Sequence, residues 1–76
     1  MERYKNLSGQ SNVVGFESGP GSITVQFASG THRNYVYDAN RPGPVMVAEM
    51  QKLAAAGRGL DSYISRVVKS NFSRKY

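Results

Sequence analysis

Apolar and polar residues alternate most cleanly over residues 22–27, where Ile23, Val25 and Phe27 are separated by Thr24 and Gln26. That is the period of a half-buried strand. Residues 12–17 read as an earlier strand with Val14 and Phe16 on one face. Between the two, Gly19, Pro20, Gly21 and Ser22 place proline and glycine at the central positions of a type II turn. Ser29 and Gly30 mark a hairpin, with residues 31–37 as the return strand. A two-residue loop would set Phe27 opposite His32 and Val25 opposite Asn34, mixing polar groups into the apolar face. A three-residue loop with Gly30 left-handed sets Val25 opposite Tyr35 and Ile23 opposite Tyr37, and the apolar match selects this second register.

The period then changes. Pro44 suits the first turn of a helix, where no N–H is needed, and residues 45–56 continue it with Met46, Met50, Leu53 and Ala54 at helical spacing. Gly57 fits the left-handed position past its last turn. In the final segment Leu60, Tyr63, Ile64, Val67 and Val68 form an apolar stripe, while Ser62, Ser65, Arg66, Lys69 and Ser70 fall outside it. Such a helix is amphipathic, with a basic, serine-rich outer face. Residues 1–10 are polar apart from Met1, Tyr4 and Leu7 and read as an arm. The expected architecture is α+β: a three-stranded antiparallel meander followed by two helices packed on one face.

Length and charge sharpen this picture. The 76 residues make one domain, 1–76, with a small core. There is no cysteine, so a disulfide framework and a thiolate zinc site are both excluded, and a cytoplasmic setting is expected. Residues 1–14 hold no apolar run of signal-peptide length, and no stretch is long enough to span a membrane. The net charge is +5, and its distribution is uneven. Arg3, Lys5, Arg33 and Arg41 balance Glu2, Glu17, Asp38 and Glu49; Lys52, Arg58, Arg66, Lys69, Arg74 and Lys75 face Asp61 alone. All the excess lies in the last third, which points to an acidic partner.

Catalytic chemistry has little to work with. His32 is the single histidine, the five acidic residues are scattered, and no nucleophile motif accompanies them. Three or four clustered metal ligands are also lacking. The chain therefore reads as a non-enzyme with no cofactor and no metal. Gly57, Arg58 and Gly59 admit two readings: a phosphate grip, or a corner between helices. Asp61 in the next turn already uses the helix dipole and would repel an anion, so the corner is favoured. The basic outer face is the stronger candidate, with Arg58, Arg66, Lys69, Arg74 and Lys75 as nucleic-acid contacts and Phe72 and Tyr76 near the basic end as stacking groups. An acidic protein patch, or pairing through an open sheet edge, is the alternative.

Residues 11–16, residues 23–27 with Ser29 and Gly30, Tyr35, and residues 57–64 together resemble the KTSC domain, named for its occurrence at the C-terminus of some lysyl-tRNA synthetases. They also resemble its stand-alone bacterial and phage relatives. Arg33 stands where that family commonly has an aromatic residue, and Asp61 where it commonly has asparagine. The resemblance implies a small meander-plus-helix module associated with RNA, and it supplies no binding residues.

Overall fold

The computed structural model describes residues 1–9 and 11–76; Gln10, the last residue of the expected arm, lies outside the described residues. The architecture is α+β, but the antiparallel sheet has five strands in sequential order: β1 (Glu2–Arg3), β2 (Val13–Gly19), β3 (Ser22–Phe27), β4 (Asn34–Asp38) and β5 (Arg74–Lys75). The expected meander is its centre. β1 adds beside β2 and β5 beside β4, so the edges that a three-stranded sheet would leave at β2 and β4 carry short partners. Strands of two residues show no alternation, which is why the apolar pattern does not reveal them.

The central register is the one selected by apolar matching, with Val25 opposite Tyr35 and Ile23 opposite Tyr37. Its loop is wider than expected. The Phe27 N–H donates to the Arg33 carbonyl at 2.7 Å, leaving residues 28–32, including exposed His32, outside the ladder. At the other turn Gly19 pairs with Ser22, and Gly21 has φ 67°, as a type II turn requires. β2 departs from simple alternation. Its register shifts between Val13 and Gly15, so Val13 is buried at 1% exposure while Val14, expected inside, is 43% exposed. An extra residue on one strand of a pair turns its side chain out of the alternation in this way.

Helix α1 (Pro44–Ala56) begins with proline in its first turn and ends at Gly57. Its buried residues are Val47, Met50 and Ala54; Met46 and Leu53 pack only at the margin of the core. The contact face is thus turned by about one residue from the expected stripe. The Gln51 side-chain amide fixes it against the sheet, donating to the Gly19 and Ser22 carbonyls at 3.0 and 2.7 Å across the β2–β3 turn.

The final helix is shorter and wider than expected. Helix α2 (Leu60–Tyr63) passes into a π-helical turn (Ile64–Val68), closed by Lys69 N–H on the Ile64 carbonyl. Leu60, Ile64 and Val68 are buried, whereas Val67 is 45% exposed. A π turn spreads its residues over more than 3.6 positions, which carries Val67 out of the stripe. Lys69, at φ 56°, ends the helix. The chain then reverses, and Ser73 N–H donates to the Val36 carbonyl at 2.7 Å as β5 joins the sheet. Phe72 packs edge-on against Tyr35 (centroids 4.9 Å apart) and Tyr37 (6.4 Å), and Tyr35 packs edge-on against Phe27. Burial, with Tyr35 alongside, pushes the Tyr37 hydroxyl up to about 12, so the phenol stays neutral in the core.

Asp38 ties the loop before α1 to this C-terminal return. Its Oδ1 accepts the Asn40 and Arg41 N–H groups at 3.0 and 3.1 Å. The Arg41 N–H and then the Ser73 hydroxyl hold its carboxyl below the ordinary carboxylate range, against a smaller opposing effect of burial. The unfolded chain therefore binds this proton more readily than the folded one. The stabilisation is complete above the ordinary carboxylate range and is lost as pH falls through it to the folded value. Thermal melts across pH should show wild type more stable than Asp38→Asn at neutrality, with the gap closing as pH falls through and below the ordinary carboxylate range. A constant separation at every pH would mean the charge contributes nothing.

Candidate nucleic-acid interface

Arg58, Arg66, Lys69, Arg74 and Lys75 are all exposed, but the structure divides them into three places. Arg58 sits in the corner between α1 and α2, flanked by Gly57 at φ 81° and Gly59 at φ 83°. The Gly57 N–H bonds back to the Leu53 and Ala54 carbonyls, which makes it the expected helix cap. Arg66 lies further along the chain, within the π turn. Lys69 follows it at the π-turn terminus, where its non-helical backbone replaces the helical neighbour geometry expected for the pair. Arg74 and Lys75 do not extend this helix: they form β5.

Alternation then separates the last two. Lys75 pairs with Tyr35 and Arg74 with Val36, so Lys75 projects to the helix-covered side and Arg74 to the open side. The Lys75 ammonium lies 5.7 Å from the Phe72 ring centroid, and the Arg74 guanidinium 5.3 Å from that of Tyr76. Phe72 is half-buried among Tyr35 and Tyr37 and is structural, unlike the stacking group expected from its position. Tyr76, 54% exposed, keeps the character of a surface ring. The chain reversal after Lys69 thus brings Arg74 and Lys75 to the sheet edge, on opposite faces of it.

A second feature involves residues from both ends of the sequence. Ser8, Ser11, Arg58, Gly59, Asp61 and Ser62 line a cleft of about 410 Å³. The N-terminal arm forms one wall because several bonds hold it against the corner. Leu7 N–H donates to the Gly57 carbonyl at 2.8 Å. Leu60 N–H reaches the hydroxyl of buried Tyr4 at 3.4 Å. Asn6 receives Ser11 N–H on Oδ1 at 3.1 Å, and Asn12 N–H donates to Asp61 Oδ2 at 3.2 Å. Asp61 thus anchors the start of β2. The sequence alone brings Arg58 and Asp61 into view but not Ser8 and Ser11, which reach them only through these bonds between distant segments.

Among the described residues, no three His, Cys, Asp or Glu side chains come together as metal ligands, and no helix is long and apolar enough to cross a membrane. No protein-family model matches the chain, and no curated protein or solved structure matches it.

Proposed function

We propose that this protein is a small, non-enzymatic, cytoplasmic module of KTSC type that binds nucleic acid, RNA before DNA, through the basic surface of its C-terminal third. The observation that carries the reading is the placement of charge: the whole excess of +5 lies in residues 52–76, and Arg58, Arg66, Lys69, Arg74 and Lys75 are all in water. Phosphate-rich chains are the commonest partners of such a surface. Exposed Tyr76, beside Arg74, adds a ring on which a base can stack.

The test is binding of short random RNA and DNA oligonucleotides to purified protein across a salt series. Reversing Arg66 and Lys69 to glutamate should weaken affinity while leaving the melting temperature nearly unchanged. The slope of log K against log salt should flatten by about 0.7 for each single-strand phosphate that the variant no longer neutralises. No wild-type binding at low salt, or binding untouched by the double reversal, overturns the reading. Retention on an immobilised acidic polypeptide would then favour a protein partner for the same surface.

A further inference from the structure

The cleft between the arm and the corner has a mixed chemistry that the basic surface lacks. Arg58 offers a planar fork of donors suited to phosphate oxygens. Asp61, on the same cleft, offers acceptor oxygens and, as a carboxylate, no donor. Ser11 and Ser62 add hydroxyls; the Ser11 Oγ accepts Val13 N–H at 3.1 Å, which leaves its proton to donate. A bare anion would meet the Asp61 carboxylate, and a bare cation would meet Arg58. The complementary ligand carries an anionic group and a hydroxyl donor on one small frame, which describes a sugar phosphate.

Resting on the nucleic-acid reading above, we propose that this cleft receives one ribonucleotide unit of an RNA chain, its phosphate on Arg58 and its ribose 2′-hydroxyl on Asp61. The volume of about 410 Å³ lies within the range of roughly 300–1,000 Å³ typical of small-ligand sites. Ser8, Arg58, Gly59 and Ser62 are exposed, so the polymer has room to continue beyond the bound unit. The walls are already in place. Asn12 N–H holds Asp61, and Leu7 N–H holds the corner carbonyl of Gly57. A deoxyribonucleotide brings the phosphate without the 2′-hydroxyl, the group by which a protein tells RNA from DNA. Asp61 then contributes repulsion with no compensating hydrogen bond.

Two measurements on the full chain test this. In oligonucleotide binding at low salt, wild type should favour RNA over DNA of the same sequence by about tenfold, the factor carried by one hydrogen bond to a charged group. Asp61→Asn keeps an acceptor for Asn12 N–H and should bring the ratio close to one. Reversing Arg66 and Lys69 should weaken both ligands and leave the ratio unchanged. Independently of any variant, titration of wild type with adenosine 5′-monophosphate should shift the amide signals of Arg58, Gly59, Asp61, Ser62 and Ser11, with much smaller shifts from the 2′-deoxy compound. Equal RNA and DNA affinity, a ratio untouched by Asp61→Asn, or no difference between the mononucleotides overturns the cleft proposal. If the double reversal still weakens RNA binding in that case, the basic-surface reading stands without it. A protein that binds no oligonucleotide overturns both.

Discussion

Ile64→Ala should destabilise the protein by about 2–5 kcal/mol, while Val67→Ala should stay within about 0.5 kcal/mol. Both residues belong to the same apolar stripe on a regular helix, and that regular geometry would give them comparable effects. The π turn separates them: Ile64 is 7% exposed and Val67 is 45% exposed. Truncating Ile64 removes apolar area already withdrawn from water and leaves a cavity beside Leu60 and Val68, whereas the Val67 site remains largely solvated. A chain of 76 residues is expected to have roughly 4–11 kcal/mol in total, so the first variant loses a large part of its stability. Urea denaturation of the pair decides the matter. Equal losses would mean that the segment is a plain α-helix with Val67 docked.

The same segment shows where the sequence is informative and where it stops. Leu60, Ile64 and Val68 are legible as core because each lies in the stripe under either helical period. The π turn itself is not legible, because the apolar spacing of Leu60, Ile64 and Val68 fits a regular α-helix equally well. Lys69 marks the helix end at positive φ without the glycine that usually announces such a residue. The central hairpin is readable because Ile23, Val25, Tyr35 and Tyr37 match in only one register. Val14 misleads for the opposite reason: a bulge shifts one residue, and strict alternation then assigns the wrong face.

The candidate site divides in the same manner. The exposed cations can be picked out singly, since Arg and Lys are almost always solvated. Their grouping cannot. Arg74 and Lys75 follow the helical segment in sequence, but Ser73 bonds to Val36 and turns them into a sheet edge. The cleft lies further out of reach, because Ser8 and Ser11 approach Arg58 and Asp61 through arm bonds that pair residues about fifty positions apart. The two glycines of the corner carry a trace of it. Both shape the turn that their spacing suggests, and that turn also supplies one wall of a polar cleft.

Gly57→Ala tests whether corner and arm form one unit. Gly57 and Gly59 have nearly the same φ, 81° and 83°, so alanine at either costs about 1–2 kcal/mol for left-handed backbone. Their surroundings differ. A Cβ on Gly59 would meet only Leu53 Cδ2 at 3.4 Å, an ordinary contact. A Cβ on Gly57 would stand 2.7 Å from Lys5 Cβ, which lies at the root of its side chain and cannot swing aside. The arm backbone has to move, adding about 1–3 kcal/mol of overpacking. Gly57→Ala should therefore destabilise by about 2–5 kcal/mol and Gly59→Ala by about 1–2 kcal/mol. Displacing the arm also pulls Leu7 N–H from the Gly57 carbonyl, so that amide should exchange with solvent much faster in Gly57→Ala and nearly as in wild type in Gly59→Ala. Equal stability losses together with unchanged Leu7 exchange would show that the arm does not rest on the corner, and the cleft would then lose its N-terminal wall.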